Sequence, residues 1–460
     1  MDETATQPDS LYIKHETIHA REVKGRFQSF RKACMWSLLG IYYFLPWLTW
    51  EGRQAVLFDL PARKFYIFAI TLWPQDFYLL SWLLIMAALL LFLSTSVAGR
   101  IWCGFACPQT VWTEAFVWME RVTEGNFSQR RKLDKAPWTA EKLARKGAKR
   151  LLWFFFALWT GLTFVGYFSP IQDLGLRAAS FSLGPWETFW ICFYSLATYG
   201  NAGHLREQVC KYMCPYARFQ SAMFDRNTLI VSYDEKRGEP RGSRRRNANQ
   251  AELGLGDCID CNICVQVCPT GIDIREGLQY ECITCAACID GCDSVMDRMG
   301  YDRGLIRYTT QNALDGEPSR IFRPRTLIYC SLLAVLAGVF VYALLSRSPL
   351  TLDVMRDRNA IYRLTTAGEV ETVYTLKLLN KSPDPQRVTV TVEGLPGISL
   401  ETDPPVINLP AGTLGSVIAR VRVPSDAAGP GGHDLTFLAR QGGDVPAEVS
   451  RRSRFIMPLD

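Results

Sequence analysis

Residues 347–460 contain no cysteine, and the whole 460-residue chain has 4 histidines. The first absence excludes a thiolate-ligated metal from the C-terminal segment. No hydrolytic constellation is present either. A secretory signal is also missing: residues 1–33 are polar, and no cleavage-type segment follows the first apolar run, so that run reads as a membrane anchor. Charge of one sign is not abundant. The net charge is +6, and the basic residues sit beside apolar stretches, where membrane topology explains them better than a nucleic-acid partner does.

What is present is uneven. Mean hydropathy is near zero, but strongly apolar segments alternate with charged ones. Five segments read as spans: 34–50, 77–98, 151–168, 186–203 and 326–346. A bilayer core needs about 17–25 residues, so the first, third and fourth are near the short limit. Pro46 lies inside the first span, where neighbouring helices can accommodate it. The run 65–73 is too short to cross and reads as interfacial, with Trp73 at headgroup depth. Residues 1–33 hold 6 Lys/Arg, 100–150 hold 11 and 204–325 hold 17, against 3 in 51–76 and 1 in 169–185. The positive-inside rule therefore predicts a cytoplasmic N-terminus, four spans over 34–203 and a cytoplasmic region 204–325. A fifth span over 326–346 then leaves 347–460 outside.

That outer segment alternates apolar and polar residues over Ile361–Thr365, Thr372–Leu378, Arg387–Val392 and Ser416–Val423, with Pro, Gly, Asn and Asp between. Such spacing predicts an antiparallel β-sandwich of about 100 residues. The fold class is multi-domain: an α-helical membrane bundle, a cytoplasmic ferredoxin-like insert and a C-terminal all-β domain.

Twelve of the 15 cysteines fall into tight groups, which argues for metal rather than a disulfide framework. Cys258-x2-Cys261-x2-Cys264-x3-Cys268-Pro269 is followed by Cys282-x2-Cys285-x2-Cys288-x3-Cys292. This is the bacterial run for two [4Fe–4S] clusters, in which the fourth cysteine of each run crosses to the other cluster. One set is then Cys258, Cys261, Cys264 and Cys292; the other is Cys268, Cys282, Cys285 and Cys288. The ferredoxin-type domain covers about 250–300. Zinc sites use separated Cys-x2-Cys pairs with no third cysteine, so zinc is the weaker reading. Asp293 stands where the first run has Pro269.

A weak repeat accompanies the spans. The first pair leads to Cys103-Gly-Phe-Ala-Cys107-Pro108, the second to Cys210-Lys-Tyr-Met-Cys214-Pro215. On a helix, each pair would place Cβ atoms about 5–6 Å apart. A disulfide wants about 3.5–4.5 Å, whereas two thiolates could share a soft metal, and thiolates favour Cu(I). Pro108 and Pro215 disfavour α conformation at the cysteine before them, making each motif a helix end or a turn. The alternatives are inert buried thiols and disulfide exchange. Cys34, Cys192 and Cys330 are isolated and read as packing residues. His15 and His19 make half a metal site. His204 is a candidate neighbour of Cys210, Arg244–Arg246 read as a solvated basic loop, and Asp76 as an interfacial cap.

Taken together, the chain resembles the CcoG/FixG/RdxA family, accessory proteins of cbb3-type cytochrome c oxidase assembly. The resemblance is carried by Arg21-Glu-Val-Lys-Gly25, Arg63-Lys-Phe-Tyr-Ile-Phe68 with Trp73-Pro-Gln-Asp-Phe77, and both Cys-x3-Cys-Pro motifs. Further matches are Tyr233-Asp234, Arg237-Gly-Glu-Pro-Arg-Gly242, Gly271-Ile-Asp-Ile-Arg275, Gly277-Leu-Gln279 and Gly304-Leu-Ile-Arg-Tyr308. It implies a membrane polyferredoxin of the bacterial inner membrane with an immunoglobulin-like periplasmic domain, implicated in reducing Cu(II) to Cu(I). The partners it implies are an electron donor of unknown identity and a copper chaperone, a copper-transporting ATPase or oxidase subunits. On this expectation Cys103, Cys107, Cys210 and Cys214 form a copper or thiol site. Two other readings stand beside it: a quinol-linked electron relay without copper, and an assembly scaffold with structural or sensory clusters.

Overall fold

The computed structural model describes residues 18–246, 252–358, 360–382, 384–442 and 447–458. The chain forms two compact units, Met1–Phe340 and Val341–Asp460.

In the first unit, helices occupy Arg26–Phe44, Phe77–Ala98, Ala140–Val165 and Pro185–Thr198, and Pro324–Leu345 begins there. Three helical stretches are long and apolar enough to cross a membrane: Pro74–Ala98, Ala140–Val165 and Pro324–Leu345. Leu80, Leu83, Leu84, Ile85 and Leu90 of the first, and Leu332, Val335 and Val339 of the last, are exposed. Continuous apolar exposure of this kind is stable against lipid, not against water.

The helix expected over 34–50 starts earlier, at Arg26, and stops at Phe44, where Leu45–Trp47 turn tightly. Pro46 is the cause: it has no N–H for the Tyr42 carbonyl. The Tyr167 hydroxyl donates to that carbonyl instead, at 2.9 Å. The fourth expected span is helical over Pro185–Thr198 and then widens into a π-turn, Tyr199–Leu205. It packs closely on Ala140–Val165 because residue 161 is glycine; a Cβ there would lie 2.6 Å from the Ile191 carbonyl oxygen.

The run 65–73, too short to cross, belongs to a sheet: Val56–Asp59, Lys64–Ile67 and Ile70–Leu72 form an antiparallel three-stranded sheet. The positive segment 100–150 is largely helical, over Pro108–Glu124, Phe127–Lys135 and the start of Ala140–Val165. Glu120 accepts ion pairs from Arg130, Lys149 and Arg206, and Glu124 from Lys146 and Lys149. Burial by itself raises the Glu120 carboxyl, but Arg206, Lys149 and Arg130 outweigh it and hold it at about 2.

The cysteine-rich insert builds on a two-stranded ladder, Ile230–Tyr233 with Ile306–Thr309, and the helix Ala287–Met299. Val231, Ile272, Ile274, Ile289, Val295, Met296, Leu305 and Ile306 form its apolar core around Cys258 and Cys264. The insert is keyed to the first helix. Asp290 accepts from the N–H groups of Phe27 (3.3 Å) and Gln28 (2.7 Å), satisfying free donors at the helix start. Gly25 leaves the room, since a Cβ there would fall 2.2 Å from the Asp290 carboxyl carbon.

The second unit is a sandwich of two antiparallel sheets. One is ordered Ser399–Asp403, Leu414–Pro424, Glu369–Asn380, Leu350–Arg356, with Arg363–Leu364 also on Glu369–Asn380. The other is ordered Ile407–Leu409, Gln386–Glu393, Gly431–Gly442, Ala447–Met457. Alternate residues of Glu369–Asn380 point inward, and Val370, Tyr374, Leu376 and Leu378 are fully buried. The Tyr374 hydroxyl donates across the sheets to the Arg454 carbonyl at 2.9 Å.

Candidate iron–sulfur centre

The two ferredoxin runs adopt the same local backbone. Around the second cysteine of each run, the flanking residues have left-handed φ: Asp260 (50°) and Asn262 (54°) beside Cys261, Thr284 (55°) and Ala286 (60°) beside Cys285. None is glycine, and Thr284 is β-branched, so the conformation is strained. Alternating handedness turns successive backbone N–H groups toward one concave side, which suits an anionic guest. The strain is held by tertiary contacts. The Arg275 guanidinium donates to Asp260 and Asn262 (both 2.5 Å) and to Asp273, while the Tyr308 hydroxyl donates to the Thr284 carbonyl at 2.6 Å.

Two cavities open inside these loops. One is lined by Cys258, Cys261, Cys264 and Cys292 with Tyr233, Ile263 and Arg275. The other is lined by Cys268, Cys282, Cys285 and Cys288, with Cys264 shared between the two and Val231, Ile272, Ile274 and Ile283 as apolar walls. With Cys264 counted in the first, each cavity has four thiols that could hold one [4Fe–4S] cluster. Burial raises Cys264 to about 11 and Cys282 and Cys292 to about 12, and it raises Cys285 and Cys288 as well. Free thiols at those five positions stay protonated at neutral pH; iron is what would hold them as thiolates. Among the described residues, no three His, Cys, Asp or Glu side chains are close enough to bind a single metal ion.

The membrane-face motifs are turns, as their prolines require. Cys103 lies in the short helix Ile101–Phe105, whereas Cys107 is extended (φ −60°, ψ 129°) and precedes Pro108–Glu124. Cys210 lies in the π-turn Val209–Met213, whereas Cys214 is extended (φ −81°, ψ 111°) and precedes Pro215–Ala222. Burial is the main force raising Cys103, Cys107 and Cys210, the last to about 12. Thiols this reluctant to ionise are poor at disulfide exchange.

Arg100 ties these motifs to the insert. It is 2% exposed. It donates to Gln220 at 3.1 Å and to the Tyr280 carbonyl, and Gln220 also accepts from the Cys103 thiol at 3.3 Å. Gly104 completes the contact, because a Cβ there would lie 2.8 Å from the Ile283 carbonyl oxygen and 2.9 Å from the Cys285 Cα. Cys103, Val267, Ile283, Cys285 and Ala287 form one buried cluster. The sequence reading missed Gly25, Arg31, Arg100, Gly104, Gln220, Asp290 and Tyr308 as parts of this architecture. Arg31, in the first helix, is the positive group that most lowers the Cys285 thiol against its burial.

His19 pairs with Asp134 at 2.7 Å, and His15 lies outside the described residues. His204 lies against the rings of Trp153 and Tyr199. Arg244 is not a solvated loop residue; it donates to Tyr301 and to the carbonyls of Gly256 and Cys258. Arg245 and Arg246 are exposed. Cys192 and Cys330 are exposed on their helices instead of packed, and Cys34 is half-buried. Asp76 caps the turn before Phe77–Ala98 by accepting from the Trp73 N–H at 3.1 Å.

Apolar helices, paired four-thiol cavities and a β-sandwich define a membrane iron–sulfur protein with an immunoglobulin-like C-terminal domain. Residues 205–311 match a 4Fe-4S dicluster domain, 78–125 a 4Fe-4S binding domain, and 340–458 the Ig-like fold at the C-terminus of FixG. The chain is 41% identical over 427 residues to the nitrogen fixation protein FixG of Rhizobium meliloti, covering 85% of this chain and 82% of that one. It is 42% identical over 407 residues to protein RdxA of Cereibacter sphaeroides, covering 85% of each. A crystal structure of a FixG-related protein from Vibrio parahaemolyticus is 29% identical, covers 25% of this chain and all of that one, and has a TM-score of 0.22. The chain belongs to the FixG family and is an iron–sulfur redox protein.

Proposed function

We propose that this protein is a membrane-bound one-electron reductase whose acceptor is Cu(II), reduced to Cu(I) for the copper centre of a cbb3-type cytochrome c oxidase. One [4Fe–4S] cluster sits on Cys258, Cys261, Cys264 and Cys292, the other on Cys268, Cys282, Cys285 and Cys288; when bound they supply one-electron redox chemistry. The observation that carries the reading is the backbone contact between Gly104 and Cys285. It leaves no room for a side chain between the second cavity and the Cys103 turn, so the path out of the insert runs to the membrane face.

The chain's own work is placement. Apolar walls keep water from the buried thiols, and Arg100 offsets negative charge between Cys282 and the membrane-face thiols. Cu(II) takes its electron beside Cys103, Cys107, Cys210 and Cys214. The soft product is favoured in a sulfur-rich setting. Each Cu(II) gains one electron and no bond in the protein forms or breaks. The charge pattern supports five crossings of the bacterial inner membrane. Residues 1–33, 100–150 and 204–325 are then cytoplasmic, where a soluble donor reaches the insert, and 347–460 are periplasmic. A copper chaperone, copper-transporting ATPase or oxidase subunit takes up the Cu(I).

The test is anaerobic. Dithionite-reduced, desalted full-length protein is mixed with Cu(II) and a Cu(I)-specific chelator. Cu(I) should form as the cluster absorbance returns to its oxidised value. A Cys103→Ser/Cys107→Ser/Cys210→Ser/Cys214→Ser variant should lose turnover and keep the ferredoxin-cluster signals. Wild-type protein that stays reduced in Cu(II) refutes copper as acceptor.

A further inference from the structure

The two Cys-x3-Cys-Pro turns come from opposite halves of a repeat, more than 100 residues apart (103 against 210), yet they converge. The Cys103 thiol donates to Gln220 of Pro215–Ala222 at 3.3 Å, Gln109 of Pro108–Glu124 donates to the carbonyls of Asn201 (2.8 Å) and Arg206 (3.1 Å) in the segment leading to Cys210, and Gln109, Thr110 and Cys210 line one cavity. The turns are built alike: the first cysteine sits in a tight helical turn, the second is extended and leads into a helix through proline. Pro108–Glu124 and Pro215–Ala222 therefore both begin at the thiol group, and a helix start favours negative charge.

Four thiols around one copper or zinc ion, with metal–sulfur bonds of about 2.3 Å, would bring the sulfurs nearly into contact. Among the described residues no such group exists. In this respect the membrane-face thiols match the two ferredoxin quartets, which are also grouped but not closed on a single ion. A four-iron cube spreads its thiolates over separate corners and does not require them to close on one point. The match to a 4Fe-4S binding domain over 78–125 takes in Cys103 and Cys107 and no other cysteine. Two thiolates are half of a cubane's complement, and Cys210 and Cys214 are the pair that the fold brings to them.

We infer that Cys103, Cys107, Cys210 and Cys214 together hold a third [4Fe–4S] cluster, with buried Arg100 as its counter-charge. The site abuts the Cys285 loop through Gly104, so it stands next in line from the insert toward the membrane. It gains one electron for each that it gives up, and no bond to the acceptor is needed. The inference rests on the one-electron transfer out of the insert proposed above, but not on copper being the acceptor. It moves the four thiols from copper ligands to resident cluster ligands, and copper then meets its electron next to them.

The test uses full-length protein purified without oxygen in detergent. Iron and acid-labile sulfide should each reach about 12 per chain, against about 8 for two clusters. The four-serine variant should lose about a third of its iron, and electron paramagnetic resonance of the reduced protein should lose one spin system and keep two. Wild type at about 8, or at about 10 as a two-iron cluster would give, overturns the inference. So does a variant that retains the wild-type iron, or one equivalent of copper released from these thiols. If the variant does not accumulate, the wild-type iron and sulfide counts decide alone. Failure of copper reduction leaves the iron count at about 12 and strikes only the acceptor. A count of about 8 with copper reduction intact strikes only the third cluster.

Discussion

The ferredoxin insert and the membrane-face thiols solve one problem in two ways. In the insert, eight cysteines lie between 258 and 292, and short loops with inverted φ wrap each cavity. At the membrane face, four cysteines arrive from two turns, each fixed by a proline and by the helix behind it. The insert is held by local backbone geometry plus a few long contacts. The membrane-face group depends on long-range packing throughout. Mutations distant in sequence should therefore damage the second site more than the first.

The largest effect should come from the ion network behind the Cys107 helix. Glu120 is 3% exposed and is paired with Arg130, Lys149 and Arg206, the last in the segment leading to Cys210. Glu120→Gln leaves buried cations without their partner and should cost about 3–5 kcal/mol in chemical denaturation of the solubilised protein. The carboxyl is held at about 2 in the folded chain, below an unfolded value of about 4.3. Its contribution is therefore complete above that unfolded value and is lost as pH falls toward 2. The variant should lose the matching part of the acid dependence. The membrane-face thiols should become accessible to alkylation while the insert keeps its cluster signals. Equal damage to both sites would break the comparison.

A smaller effect is expected where the two sites touch. Gly104→Ala puts a methyl 2.8 Å from a backbone oxygen and 2.9 Å from a Cα, neither of which can rotate away. Overpacking of this kind costs about 1–3 kcal/mol. The substitution should slow reoxidation of the insert clusters by the acceptor and leave their spectra unchanged. Unaltered reoxidation kinetics would mean that the Cys285–Gly104 contact is not the way out.

The same contrast sets how much was legible in the sequence. Ferredoxin spacing is local, so the eight cysteines could be picked out as candidate cluster ligands from the chain alone. So could the turns at Cys107 and Cys214, because proline acts on the residue before it. The alternating strands Glu369–Asn380 and Leu414–Pro424 were visible for the same reason. Gly431–Gly442 was not, because it opens on two glycines, nor was Ala447–Met457, because it carries three arginines on an alternating strand. The sequence put Pro46 inside a span because tolerance of a proline depends on what fills the vacant bond, and Tyr167 is far along the chain. Arg100, Gly104 and Asp290 carry no motif; their roles come from partners more than 100 residues away. Net positive charge in 100–150 gave a sense of topology but hid a buried network, since counting charges does not reveal which are paired.

The smallest effect distinguishes the two halves of the insert itself. Both loops use left-handed residues around their second cysteine, but they are braced differently. Asp260 and Asn262 are held by the Arg275 guanidinium, a charge-assisted contact. Thr284 is held through its carbonyl by the neutral Tyr308 hydroxyl. Arg275→Gln should therefore cost about 1.5–3 kcal/mol and Tyr308→Phe about 0.5–1.5 kcal/mol, in the ratio of charged to neutral hydrogen bonds. Each substitution should perturb only its own cavity: the Cys258 set for Arg275, the Cys282 set for Tyr308. Stepwise iron release to a chelator, followed by the two reduced spin signals, reports which cluster loosens first. If Tyr308→Phe loosened the Cys258 set, or both sets equally, the two loops would be one mechanical unit, and their separate bracing would have no consequence.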